Sequence, residues 1–442
     1  MIAQWPDPTS RSRGLYERAL KVMPGGVTRI QPWQPPFPVY ARSGAGAYIT
    51  DVDGASYLDF TNCFSAMIHG HAHPDLVGAV TAQLSRSTAF NTPTEIEILL
   101  AEHLCERIAS IEQIRFCNSG SEAVMHAIKA ARAYTGRPLI AKIEGAYHGA
   151  YDYAEVSLDS TPDNWGNEPA STPYAVGTPK GVLADVVALP FNHPLESARI
   201  LRANAGKLAG VLLDVLPAAV GCIPATREFL SAVTEAARDA GGLIILDEVV
   251  SLRLHYRGAQ ALFDIDPDLT VLAKIIGGGF PVGAVGGKAN VMKVFDHRHG
   301  KPSVPQGGTF TANPVTMTAG LAAMKLLTPQ AHGHIDRLGA KVRAGITEIF
   351  RQRDFRGQVT GMGSIFKVHT HDRPIIDHRS HYASGEEVRT LETLQIELLR
   401  RGHLISAKGY GFTTTPMTDA DIDSFLTAAD EVAGTLHRSR AA

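Results

Sequence analysis

Cysteine is scarce in this chain and any large imbalance of charge is missing, and both absences narrow what it can be. The four cysteines among 442 residues, Cys63, Cys105, Cys117 and Cys222, show no CxxC spacing and sit among apolar neighbours, which suits reduced thiols rather than a disulfide framework. A formal net charge of -2 offers no concentrated basic field for nucleic acid or an anionic membrane. No apolar run approaches the length a spanning helix needs, and Met1 to Arg13 is polar and Pro-bearing without the apolar core of a signal peptide, so a cytoplasmic location is expected. Internal repeats and low-complexity tracts are lacking too. No GxGxxG opens a helix after an early strand, which removes the dinucleotide fingerprint. What is present is a chain 44% hydrophobic, long enough for one large domain with a smaller companion and suited to small-molecule partners.

Along the chain, Leu15 to Val22 has helical spacing and stops at Met23-Pro24-Gly25-Gly26, where proline and two glycines end a helix. A Pro-rich passage over 32–38 follows. Residues 47–50, a turn at Asp51-Val52-Asp53-Gly54 and residues 56–60 form the pattern of a hairpin in a small peripheral domain. From about residue 75, short apolar runs alternate with longer helical patterns, the signature of βαβ units and a mainly parallel sheet. Strands are expected over 113–117, 139–143, 210–213, 243–246, 269–273 and 282–285, and helices over 121–134 and 226–239. Past Leu327-Thr328-Pro329 a helix and short irregular strands predict a C-terminal small domain that joins the N-terminal hairpin. The expected division is 1–70, 71–328 and 329–442, an α/β protein with a smaller α+β domain drawn from both chain ends.

Chemistry concentrates at the strand ends, the edge at which open α/β sheets bind ligands. The run Leu243-Ile244-Ile245-Leu246 delivers Asp247 there, where a carboxylate can pair with the protonated nitrogen of a pyridine ring; capping a helix or turn is the plainer use of the same acid. Lys274 follows the apolar strand 269–273 and precedes Gly277, Gly278 and Gly279. An amine desolvated at such a place has a lowered pKa and forms imines, whereas a solvated lysine in a glycine loop is the ordinary alternative. In Asn118-Ser119-Gly120-Ser121-Glu122 a strand gives way to a long helix, so free N–H groups and the positive end of the helix dipole favour a phosphate at Gly120 and Ser121, with hydroxyl donors from Ser119 or Ser121; helix capping by Ser119 accounts for the same residues. Tyr147 and His148 follow the strand 139–143, with Tyr147 able to stack on a flat ring or to sit as a partly buried aromatic. His69, His71 and His73 have no acid or cysteine cluster at ligand spacing beside them and Pro74 makes a tight turn there, so no metal site is expected.

Taken together, Met23-Pro24-Gly25-Gly26, Gly70-His71-Ala72-His73-Pro74, Asn118 to Ala123, Tyr147-His148-Gly149, Asp247-Glu248-Val249, Lys274 to Gly279 and Gly308-Thr309-Phe310 resemble the class III aminotransferases of the fold-type I pyridoxal-phosphate enzymes, over nearly the whole chain. Within that class the sequence looks closest to the glutamate-1-semialdehyde aminomutases and the β-phenylalanine-type β-amino-acid aminotransferases. The resemblance implies a mainly parallel, seven-stranded central sheet flanked by helices and pyridoxal 5'-phosphate as cofactor. It implies Lys274 as the Schiff-base lysine, Asp247 as partner of the ring nitrogen, Val249 and Tyr147 on the two ring faces, and Gly120 and Ser121 in the phosphate cradle. Thr309 matches a residue that reaches the phosphate from the neighbouring subunit, which implies a homodimer. Arg29 falls where the β-amino-acid enzymes bind the substrate carboxylate, and Lys408 lines up with a segment that carries a second arginine.

Two departures stand out. Gly409 replaces the glutamate of the aminomutases, and Asp214-Val215-Leu216-Pro217 replaces a Glu-Pro segment that supplies an amide to the ring hydroxyl; Asp214 keeps an acid, and no Gln or Asn follows. The expected activity is transfer of an amino group from an amino acid, glutamate by family habit, to a carboxylate-bearing ketone or aldehyde such as a β-keto acid. A 2,1-aminomutase, a racemase or epimerase, and a non-catalytic pyridoxal-phosphate-binding regulator are the rival readings. The polar passage 157–180 is expected as a surface loop with the makings of a lid.

Overall fold

The computed structural model describes residues 5–31 and 33–441; residues 1–4 of the polar start, Pro32 of the Pro-rich passage and Ala442 lie outside the described residues. The chain divides into two compact units, one of Met1–Pro74, Gly333–Arg373 and Ala383–Ala442, the other of Asp75–His332 and Pro374–Tyr382.

In the larger unit, seven strands form one sheet in the spatial order Gln113–Cys117, Gly283–Gly287, Leu269–Ala273, Leu243–Asp247, Leu208–Leu213, Leu139–Ile143, Val186–Leu189. All neighbours are parallel except Gly283–Gly287, which runs antiparallel to the strand on each side. Every residue of Leu139–Ile143, Leu208–Leu213, Leu243–Asp247 and Leu269–Ala273 is buried, which is why these strands, apart from Lys142, Asp247 and Thr270, are apolar and show no polar alternation. Val186–Leu189 is a strand the sequence expectation lacks; four residues are too few to carry a period.

The helix Gly120–Thr135 packs on this sheet through Ala123, Val124, Ala127, Ile128 and Ala131, in one core with Ile140, Leu212, Ile245, Val271 and Val285. Ser119 Oγ accepts from Glu122 N at 3.1 Å to cap its start, and Gly136, at φ 67°, ends it in the left-handed conformation. Thr226 caps Arg227–Asp239 in the same way, accepting from Phe229 N at 3.1 Å. Each such cap contributes about 1 kcal/mol.

The smaller unit contains the expected hairpin, Tyr48–Asp51 paired antiparallel with Ser56–Asp59, with Ala41–Ala45 added on one side. His403–Leu404 joins the other side in parallel, so residues from both chain ends share one sheet. A second sheet holds Gln358–Thr360, Ile365–His369 and Tyr410–Phe412. Its core centres on Phe60, Phe366 and Phe425, whose rings meet at 4.6 to 5.9 Å, with Val342 and Ile346 of the long helix Pro329–Gln352 and Ile422 of Asp419–Ala441. The first helix, Arg11–Ala19, begins earlier than its apolar spacing predicts because Ser10 caps it, accepting from Arg13 N at 3.2 Å. Among the described residues, no helix is long and apolar enough to cross a membrane.

Candidate active site

At the C-terminal ends of the parallel strands lies a cavity of about 300 Å³ whose walls include Ser119, Gly120, Ser121, Tyr147, His148, Asp247, Val249 and Lys274. Residues spread over more than 150 positions of sequence converge here because neighbouring strands of one sheet end together.

Asp247 is the last residue of its strand and is buried. Its Oδ2 lies 2.8 Å from His148 Nδ1, and its Oδ1 accepts from Val249 N at 2.9 Å, so two donors hold the carboxylate in one orientation with Nδ1 carrying the proton. Burial lowers the basicity of His148, more than offsetting the pull of Asp247, which suits a neutral imidazole; its Nε2 is buried and has no hydrogen-bond partner among the described residues. Next along the chain, Glu248 is fully buried and accepts from Ala259 N at 2.7 Å and from Gln260 N and Nε2, each at 2.9 Å, which fixes the loop that leaves the Asp247 strand.

Lys274 begins the turn after Leu269–Ala273 with φ 53°. A non-glycine residue in that left-handed region costs roughly 1 kcal/mol or more and persists only where its surroundings hold it, a feature common at functional sites.

Opposite, the start of the Gly120–Thr135 helix is shaped by close backbone approaches. A Cβ on Gly283 would stand 2.0 Å from Ser119 O, and one on Gly149, at φ 90°, would stand 2.5 Å from Ser121 Oγ. Glycine is therefore required at both positions for the turn to sit where it does. Ser121 Oγ accepts from Ala150 N at 3.0 Å, which leaves its hydroxyl proton available to a ligand. Ser119 is already engaged as the helix cap, so the capping role accounts for its side chain. Tyr147 is 55% exposed, a large aromatic left open on the cavity wall.

The remaining expected residues fall elsewhere. Thr309 is exposed and is not among the residues lining the cavity, although its segment borders Asn118, whose Nδ2 donates to Thr311 Oγ1 at 3.4 Å. Arg29 and Lys408 are exposed residues of the smaller unit; Arg29 Nη1 reaches Cys63 Sγ at 3.8 Å.

Buried polar residues that the sequence reading passes over lie in the stretch 142–144, which leads along the chain to Tyr147 and His148. Lys142 is fully buried, donates from Nζ to Val156 O at 2.8 Å and Ile143 O at 3.1 Å, and is driven down to about 7 by burial. A lysine inside an otherwise apolar strand was the available signal. Buried Glu144 accepts from Arg379 Nε at 2.9 Å and from Ser160 Oγ at 3.2 Å, and Arg379 also donates to the carbonyls of Trp165, Gly166 and Asn167. The passage expected as a loop over 157–180 is thus tied down at its start, and Lys180–Ala184 is helical.

The sequence profile of the aminotransferase class III family matches residues 30–400. The chain is 36% identical over 436 residues to the glutamate-1-semialdehyde 2,1-aminomutase of Methanothermobacter thermautotrophicus, covering 96% of this chain and 98% of that one. The crystal structure of an omega-transaminase from Sphaerobacter thermophilus is 48% identical, with a TM-score of 0.95 over 98% of this chain and 99% of that one. A β-phenylalanine aminotransferase from Variovorax paradoxus is 32% identical with a TM-score of 0.87, over 97% and 94% of the two chains.

Proposed function

The chain belongs to the class III aminotransferases, pyridoxal 5'-phosphate enzymes acting on amino and oxo acids, and from that premise we propose that it moves an amino group from a donor such as glutamate to a carboxylate-bearing ketone or aldehyde, a β-keto acid being the type. One observation carries the reading: a buried His148–Asp247 pair and Lys274 share one cavity with a helix start suited to a phosphate.

The residues fit the cofactor. Asp247, fixed by His148 and Val249 N, would accept from the ring nitrogen, and Gly120 and Ser121 would hold the phosphate through backbone N–H groups and the Ser121 hydroxyl proton. Val249 and Tyr147, both on the cavity wall, would cover the two ring faces. When bound, the cofactor serves as an electron sink for the substrate carbon that loses its proton. Lys274 would tether the cofactor and, once the amino group of the donor has displaced it, its freed amine would carry that proton, a task suited to an amine at a strained strand end. Arg29 is assigned to the substrate carboxylate by its planar fork, and Lys408, in line with a segment that carries a second arginine in the β-amino-acid enzymes, is a further substrate-side cation. Thr309 completes the phosphate site of a second copy in a homodimer, a role consistent with its exposure beside the exposed Phe310.

An intramolecular version, the 2,1-aminomutase, is the second reading. The 36% identity to an enzyme of that name favours it, and Gly409 in place of the aminomutase glutamate weighs against it. The purified protein loaded with pyridoxal phosphate separates the two. Glutamate should bleach the visible band, and a β-keto acid should restore it with release of a β-amino acid. Isomerisation of glutamate-1-semialdehyde without any second carbonyl compound, and no transfer to oxo acids, would establish the mutase instead.

A further inference from the structure

Asp214 directly follows the strand Leu208–Leu213, whose Leu213 pairs in parallel with Leu246, so Asp214 and Asp247 leave adjacent strands at the same level. Both line the cavity, together with Lys274. Asp247 accepts two hydrogen bonds, from His148 and Val249 N, whereas Asp214 accepts one, at Oδ1 from Leu216 N at 2.9 Å. Its Oδ2 is left for whatever occupies the cavity, and the residue is only 8% exposed.

The ionisable groups facing Asp214 are Asp247 and Glu248 from the neighbouring strand and Lys274 from the next, with Tyr147 and His148 on the same cavity wall. Two buried carboxylates so placed do not both ionise cheaply, and the one with fewer donors keeps its proton. Burial first and the Asp247 charge second raise Asp214 well above the usual carboxylate range, with Lys274 opposing them.

In pyridoxal phosphate the ring nitrogen and the carbonyl carbon stand at opposite ends of the ring, and the ring oxygen and the phosphate arm occupy opposite flanks. The sheet runs from Gln113–Cys117, which leads into Gly120 and Ser121, past the strands that deliver Lys274 and Asp247 to Leu208–Leu213. With the nitrogen at Asp247, the carbonyl at Lys274 and the phosphate at Gly120 and Ser121, the flank left to the ring oxygen is therefore the one on the Leu208–Leu213 side. Asp214 lies on that side of the cavity. We propose that Asp214 is a neutral carboxylic acid that donates a hydrogen bond from Oδ2 to the ring oxygen of the cofactor. It is a positioning and tuning residue, standing in for an amide donor, and the inference rests on the cofactor reading above. A neutral donor holds electron density on the ring oxygen and makes the nitrogen joined to Lys274 less basic; an ionised carboxylate at the same place would make it more basic. The two states of Asp214 therefore predict opposite signs.

The test compares the unsubstituted protein with Asp214→Asn and Asp214→Ala, each loaded with pyridoxal phosphate, by the pH midpoint of the visible band. Asp214→Ala should raise the midpoint by about one unit, and Asp214→Asn, whose amide still donates, should hold it within about half a unit. A fall in midpoint in Asp214→Asn would show an ionised Asp214 and overturn the assignment, as would an unmoved midpoint in Asp214→Ala. If Asp214→Ala does not fold, Asp214→Asn still tests the protonation state: a midpoint held within about half a unit is expected, and a fall overturns the assignment. Infrared spectra give a second readout that needs no cofactor: the carbonyl stretch of a protonated carboxylic acid at neutral pH should be lost in Asp214→Asn, and no difference would refute the proposal. No visible band in the unsubstituted protein would overturn the cofactor reading itself and this assignment with it, whereas a normal band with the wrong midpoint shifts overturns the assignment alone.

Discussion

Replacing Asp247 by alanine removes the acceptor of two short hydrogen bonds, 2.8 Å from His148 Nδ1 and 2.9 Å from Val249 N, at a buried position. Two losses follow and are separable. His148 already has a buried Nε2 without a partner among the described residues, so the substitution strands both ring nitrogens, at a cost to folding of about 1–3 kcal/mol. The charged contact to the cofactor ring goes as well, worth about 1.5–3 kcal/mol and equivalent to roughly 10- to 150-fold weaker retention of pyridoxal phosphate. Urea titration of the cofactor-free protein reads the first, and quenching of protein fluorescence on titration with pyridoxal phosphate reads the second. Asp247→Asn keeps the shape and an oxygen for His148, so it should recover much of the stability while failing to support a cationic ring, with turnover falling much further than binding. Cofactor affinity in Asp247→Ala equal to that of the unsubstituted protein, or undiminished turnover in either variant, would refute the role given to Asp247.

Lys142 is held near 7 in the folded chain against an ordinary value of 10.5, so the unfolded chain binds the extra proton between those limits and stability should rise as pH climbs through that window. In Lys142→Met that rise should vanish, as urea titrations at about pH 7 and about pH 10 would show; an equal rise in both proteins would contradict the burial of a neutral amine. Arg379→Ala leaves the buried Glu144 carboxylate without its cation and frees the carbonyls of residues 165–167, so limited proteolysis between residues 161 and 171 should speed several-fold and stability should fall by about 3 kcal/mol; unchanged cleavage would mean that the passage is held by other contacts. Gly149→Ala combines a positive φ with a Cβ only 2.5 Å from Ser121 Oγ, so cofactor affinity should fall at least tenfold in the same fluorescence titration, and normal affinity would remove Ser121 from the phosphate site.

The core of the site was legible because strand ends are legible. Continuous apolar runs marked 243–246 and 269–273 as buried strands, and the residues that follow them, Asp247 and Lys274, inherit the ligand-binding edge. The Gly-Ser turn at 119–121 was legible both as an anion site and as a cap, and both uses fit the fold: Ser119 Oγ caps the helix, Ser121 Oγ accepts from Ala150 N, and both residues line the cavity. What could not be seen are the pairings between distant positions. Arg379 and Glu144 lie 235 residues apart, and no local pattern joins them. For the same reason Pro374–Tyr382 groups with the larger unit, although the sequence division ran the C-terminal domain unbroken from 329. Asp214 was visible as an acid out of place, but which of two neighbouring carboxyls keeps a proton depends on donors that only the fold supplies.

The account turns on a covalent tie between one side chain and the cofactor. Borohydride reduction of the protein loaded with pyridoxal phosphate, followed by peptide mapping, should place the reduced adduct on Lys274, at the end of the strand Leu269–Ala273. An adduct on any other lysine, or on none, would contradict it.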